Sequence, residues 1–196
     1  MSASLHRRDV VKTLLADRGD LLVVTGLGSA AWDCAAAGDH ALTFPMWGAM
    51  GLAAMTGLGL ALARPARRVL VVTGDGEMLM GLGSLATIGS SKPANLAVVV
   101  LDNERYGETG MQATHTAKGV ELAAVARACG FAEARTLTRA DELPALHETI
   151  HRGAGPVFAA IKIVAEKVPL VLPPRDGALL RARFRRALLG ERADLQ

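Results

Sequence analysis

Aromatic residues are scarce in this chain: four Phe, two Trp and one Tyr make up 4% of its 196 residues. Proteins that bind nucleic acid need stacking rings beside a broad basic face. A net charge of +3, with Arg175, Arg181, Arg183, Arg185, Arg186 and Arg192 gathered near one end, does not supply that face. Nucleic acid is therefore not an expected partner, and the terminal arginines read as a solvated helix or a subunit contact. Cysteine is equally sparse. Cys34 and Cys129 are far apart and lack CxxC spacing, which removes iron-sulfur and zinc chemistry and leaves two small buried hydrophobes. The opening MSASLHRRDVVK has no apolar core for a signal peptide, so a cytoplasmic location is expected. One uncharged run, Phe44 to Ala63, is long enough in principle to span a bilayer. It contains Pro45 and glycines at 48, 51, 57 and 59, all costly to a helix, so the expectation is a buried, closely packed helix and no membrane partner.

What the chain does have is apolar residue, at 51%, mostly Ala, Val and Leu. That suffices for the core of one domain over residues 1–196, whose last part, 169–196, reads as a Pro-rich link and a basic helix. Leu21–Thr25, Val69–Thr73, Ala97–Leu101 and Val157–Val164 are short, nearly continuous β-branched runs, as parallel strands buried on both faces require. Between them, helical spacing is expected over His6–Asp17, Met78–Ser90, Val120–Cys129, Arg139–Arg152 and about Gly177–Leu189, with a long polar loop from Asp102 to Gly119. The fold class is α/β, a doubly wound parallel sheet with helices on both faces.

Two motifs sit directly after strand runs: Gly74-Asp75-Gly76 after the second and Asp102-Asn103 after the third. In open parallel sheets ligands bind outside the carboxyl ends of the strands. A carboxylate and an amide carbonyl there are hard oxygen donors, suited to Mg²⁺ or Ca²⁺. Gly74 and Gly76 allow a tight turn and close approach to an anion at a helix N-terminus. The tripeptide alone also fits a plain strand-to-helix turn with an Asp cap; the second pair and both strands favour a site for a diphosphate with a divalent cation.

GDG followed at this interval by an Asn-containing pair resembles the motif of thiamine-diphosphate enzymes. Trp47-Gly48-Ala49-Met50-Gly51 looks like the stretch that cradles the cofactor rings in decarboxylases of this family. With the run LDNERYGETGMQ (101–112), the likeness is to the diphosphate-binding half of sulfopyruvate and phosphonopyruvate decarboxylases, over roughly residues 20 to 165. The resemblance implies that Mg²⁺ is held by Asp75, Asn103 and the backbone carbonyl of Arg105, and that Gly76 and Glu77 amides with Thr25 and Gly26 hold the phosphates of thiamine diphosphate. It implies that Met50 bends the cofactor, that the Gly48 carbonyl accepts from its amino group, and that Trp47, Gly74 and Tyr106 also line it. Glu77 departs from the small hydroxyl residue common in relatives, so its carboxylate must point away from the anion. Complete enzymes of the family carry a pyrimidine-binding domain with an activating Glu. This chain has no room for one, so the expected partner is an alpha subunit that supplies it, in a hetero-oligomer of dimers.

For the small 2-oxo acid substrate the motifs are less specific. Tyr106, Glu108, Gln112, Thr114 and His115 lie on the loop after the metal ligands, where a lid is expected, and His115 is the candidate proton donor. His6, His40, His147 and His151 suggest only surface or capping roles. Two other readings stand beside the decarboxylase subunit: another thiamine-diphosphate enzyme, such as an acetolactate-synthase-like carboligase or a 2-oxo acid oxidoreductase subunit, and a non-catalytic cofactor-binding module.

Overall fold

The computed structural model describes residues 4–194; residues 1–3 and 195–196 of the expected single domain lie outside the described residues. Six parallel strands form the main sheet: β1 (Leu22–Thr25), β2 (Thr43–Pro45), β3 (Val69–Gly74), β4 (Leu96–Asp102), β7 (Glu133–Leu137) and β8 (Val157–Lys162), in the order β2-β1-β3-β4-β8-β7. Two further short strands, β5 (Arg105–Tyr106) and β6 (Gln112–Ala113), pair antiparallel as a small hairpin.

Alternation along the strands builds two cores. Val69, Val71, Val98, Val100 and Phe158 face α3 (Ala53–Ala63), α5 (Ser84–Ser91), α6 (Leu122–Ala128) and α8 (Gly177–Leu189). Their neighbours Leu70, Val72, Val99, Leu101 and Ala159 face α1 (Arg7–Leu14), α2 (Ser29–Ala36) and α7 (Leu143–Arg152). Continuous apolar strands with helices on both faces are what a parallel sheet requires, and the doubly wound expectation holds. From β1 the chain first crosses outward to β2 and then returns past β1 to β3, so the order reverses between β1 and β3. That is where such sheets hold ligands.

The departures have local causes. The expected helix over Met78–Ser90 is two, α4 (Asp75–Met80) and α5, separated at Gly81–Gly83. A Cβ at Gly81 would lie 2.1 Å from the Gly51 carbonyl oxygen, so the loop before α3 presses into the break. The uncharged run from Phe44 forms part of β2, a loop and α3 rather than one helix; no helix of the described residues is long and apolar enough to cross a membrane. The edge strand β7 carries the Glu133–Arg135 ion pair and is mostly half-buried, so it has no apolar run to announce it. The basic helix α8 packs onto the domain: Phe184 meets Phe44 edge-on at 5.6 Å between ring centres. Cys34 is buried and Cys129 partly so, both as free thiols. His147 and His151 bond the carbonyl oxygens of Ala16 and Leu14 at 2.9 and 3.0 Å, capping the end of α1.

Candidate functional site

A cleft opens at the carboxyl ends of β1, β3 and β4. Its walls include Leu27 and Ser29 after β1, Met50 before α3, Gly74–Glu77 at the end of β3, and Asn103 and Arg105–Thr109 after β4. Asp75 is 1% exposed, and its Oδ2 accepts from Thr114 Oγ1 at 2.6 Å and from Thr116 Oγ1 at 3.3 Å. Burial, together with the nearby Asp102 charge, pushes the Asp75 carboxyl up to about 6. Thr116 Oγ1 also donates to Asp102 Oδ1 at 2.8 Å, and Lys162 on β8 bridges Asp102 and Glu104 at 2.8 Å each. The loop after β4 therefore tucks behind Asp75, which corrects the placement of Thr114 on a solvent lid: it is fully buried.

Asn103 faces the same cleft, its Oδ1 accepting the Arg105 amide at 2.9 Å in a local turn that fixes the amide plane. Gly74 also lines the cleft, and a Cβ there would meet no protein atom within 4 Å, so the space beside it is open. Gly76 is needed for a different reason: a Cβ would come 2.6 Å from Cε1 of Tyr106, whose ring packs on this turn. The Thr25 hydroxyl, at the end of β1, is buried without a partner.

Glu77 is buried, and both its oxygens are engaged by the chain. Oε2 accepts from Thr73 Oγ1 at 2.7 Å, and Oε1 from the Gly51 amide at 3.4 Å. Amides of Ala53 and Leu27 contribute as well, although burial dominates and raises the carboxyl above its ordinary range. One carboxylate thus fastens the segments after β1, before α3 and after β3. Gly26 serves this contact, because a Cβ would lie 1.6 Å from Glu77 Oε2. Its amide donates to the Val72 carbonyl at 2.8 Å and is engaged in the sheet.

Other expected residues lie apart. Trp47 does not line the cleft; its Nε1 donates to the Pro174 carbonyl at 2.7 Å and Arg175 sits 5.5 Å above the ring. The indole thus anchors the Pro-rich link. Gly48 is exposed with open space around it, while Met50, 36% exposed, reaches the cleft wall. His115 is exposed at the start of a short 3₁₀ turn and is not among the cleft residues. Arg7, Ser29 and Asp33 line the cleft without having been expected there. Arg7 looks in sequence like any polar position of an amphipathic helix. No motif marks it.

Comparison with known proteins agrees with this geometry. Residues 26–161 match the family model "Thiamine pyrophosphate enzyme, C-terminal TPP binding domain". The sulfopyruvate decarboxylase subunit beta of Methanothermobacter thermautotrophicus is 35% identical over 190 residues, covering 97% of this chain and 99% of the relative. The protein of the same name from Methanocaldococcus jannaschii is 42% identical over 126 residues, 64% of this chain and 66% of the relative. Benzoylformate decarboxylase from Polynucleobacter necessarius shares the fold with a TM-score of 0.73 at 20% identity, over 85% of this chain but 34% of its own. A family match across most of the chain, in a domain whose cleft lies at its parallel strand ends, makes this chain a member of the thiamine pyrophosphate enzyme family, of the C-terminal TPP-binding type.

Proposed function

We propose that this chain is the beta, cofactor-holding subunit of a two-chain 2-oxo acid decarboxylase acting on sulfopyruvate or phosphonopyruvate. The observation that carries the reading is the near end-to-end likeness to a relative named sulfopyruvate decarboxylase subunit beta, in a chain whose cleft keeps the acidic and amide oxygens together.

The cleft fits thiamine diphosphate with Mg²⁺. Mg²⁺ takes hard oxygen ligands, commonly one or two carboxylates completed by neutral oxygens and phosphates. Asp75 would supply the charge, Asn103 Oδ1 and the Arg105 carbonyl the neutral oxygens. Among the described residues no three His, Cys, Asp or Glu converge, as a mixed oxygen set of this kind implies. The space beside Gly74 admits the diphosphate. When bound, the cofactor supplies the carbon nucleophile and electron sink that loss of CO₂ requires.

The chain's own residues do the positioning. Thr114 and Thr116 hold Oδ2 of Asp75, which would leave its other oxygen to ligate the cation. Lys162 neutralises Asp102 behind them. Glu77 fixes the Met50 loop against β1 and β3, which would position Met50 beneath the bound cofactor. His115 is the candidate proton donor only if the loop closes over a bound substrate. The alpha subunit would bring the pyrimidine-binding domain and the activating Glu, in a cytoplasmic hetero-oligomer of dimers.

Assay of the co-expressed complex against sulfopyruvate, phosphonopyruvate and pyruvate tests this. Preference for a substrate with a second anion is expected, with loss of thiamine diphosphate binding in Asp75→Asn. Unchanged cofactor affinity in that variant would remove the site assignment.

A further inference from the structure

Arg7 is a cation that the family motifs do not account for. It starts α1, and its side chain is 7% exposed. Nε lies 2.7 Å from Asp33 Oδ2, and Nη1 donates to Ser29 Oγ at 2.8 Å. The guanidinium is thereby fixed in plane by two residues of α2, and all three residues line the same cleft as Asp75, Gly76 and Asn103.

The charges do not balance within this cluster. Arg8 reaches the same Asp33 carboxylate, with Nε 3.4 Å from Oδ1, and its guanidinium also donates to the Pro169 carbonyl. Two guanidinium groups therefore share one wholly buried carboxylate, which cannot neutralise both; the other carboxylates lining the cleft are Asp75, Glu77 and Glu108. Arg105, the other cation lining the cleft, donates to the Glu104 carbonyl and is only half-buried. A buried cation is costly unless an anion or several acceptors meet it. Planar guanidinium held on one edge by a carboxylate presents its remaining N–H groups as a preformed site for phosphate oxygens.

We propose that Arg7, held by Asp33 and Ser29, is a ligand of the cofactor's diphosphate in this cleft. This rests on the cofactor reading above and adds to it a residue from α1, outside the GDG and Asp-Asn segments. Ser29 is the positioning residue: its hydroxyl holds Nη1, and it lies in the first turn of α2 next to Leu27 and Gly28.

The test is calorimetric titration of the full chain with Mg²⁺ plus inorganic pyrophosphate, and with Mg²⁺ plus thiamine diphosphate. Arg7→Met keeps most of the buried volume and removes the charge; it should weaken both ligands about 10- to 100-fold, the range for one charge-assisted contact. Arg152→Met removes an exposed guanidinium that pairs with Glu148 on α7 and does not line the cleft, and should change either affinity by less than about threefold. If Arg7→Met does not fold, Arg7→Lys keeps a charge beside Asp33 without the fork and should still weaken pyrophosphate about fivefold or more. A folded Arg7 variant that binds both ligands as the wild type does overturns the inference and leaves the cofactor reading standing. Wild-type chain that binds neither ligand overturns both. A third result, unchanged pyrophosphate affinity with a raised KM for the 2-oxo acid in the assembled complex, overturns it by assigning Arg7 to the substrate's distal anion.

Discussion

Replacing Thr114 by Val removes one hydroxyl from a fully buried position and adds almost no volume. In the native chain that hydroxyl gives Asp75 Oδ2 its shortest hydrogen bond, 2.6 Å; what remains is Thr116 at 3.3 Å, itself drawn toward Asp102 at 2.8 Å. A hydrogen bond to a charged group contributes about 1.5–3 kcal/mol, and each 1.4 kcal/mol is roughly tenfold in affinity. Only the part of that bond that orients the carboxylate is lost to the cation, so Mg²⁺-dependent binding should weaken by about tenfold and by no more than roughly 100-fold, as for other residues that orient metal ligands. Thr13→Val is the control, because its hydroxyl bonds the Asp9 carbonyl on the exposed face of α1, away from the cleft, and it should leave binding unchanged. Titration calorimetry with Mg²⁺ and thiamine diphosphate reads both variants. A Thr114→Val chain that melts as the wild type does and binds with wild-type affinity would refute the argument that the loop after β4 acts through Asp75.

Gly81→Ala places a methyl 2.1 Å from the Gly51 carbonyl oxygen, backbone against backbone, and should destabilise the domain by about 1–3 kcal/mol in urea melts. An unchanged midpoint would mean that the α4–α5 break is set elsewhere. Met50→Ala should leave cofactor affinity near normal and slow exchange of the cofactor's C2 proton in the assembled enzyme if, as proposed, Met50 acts on ring geometry; exchange at the wild-type rate would make it an ordinary wall residue. Burial pushes the Cys34 thiol up to about 12, so the folded chain keeps its proton where the unfolded chain has lost it. Stability from this group is complete below about pH 8.5 and declines as pH rises toward 12, by at most about 1.4 kcal/mol per pH unit. The urea midpoint of Cys34→Ala should therefore fall less than the wild type's between pH 8 and pH 10, and parallel declines would contradict this.

The strands that carry the site were legible because they are buried on both faces: Val69–Val72 and Ala97–Val100 are apolar at every position, a pattern few other structures use. Their ends then located Asp75 and Asn103 without any tertiary information. Other features depend on contacts between distant segments, which spacing does not encode. Gly81 breaks a helix because Gly51 arrives there, and Gly26 is required because Glu77 folds over it. Thr114 and Thr116 read as polar loop residues, yet the hairpin of β5 and β6 returns them beneath Asp75. Trp47 lies within the stretch that resembles a ring cradle and is held by Pro174, whose place follows from the path of a link 127 residues away in sequence. The charged edge strand β7 was hidden for the same reason as Arg7: half-buried polar residues carry no period of their own.

Subunit dependence tests the central claim most directly. Purified chain, thiamine diphosphate, Mg²⁺ and sulfopyruvate are combined with and without a chain bearing the pyrimidine-binding domain, and CO₂ release is followed. On the proposed reading Asp75, Asn103 and Glu77 serve the cation, the diphosphate and the loop beneath the rings, so the chain alone should bind cofactor and release no CO₂, with turnover appearing on addition of the partner. Sustained CO₂ release by the single chain would contradict the account and place the activating Glu within this sequence.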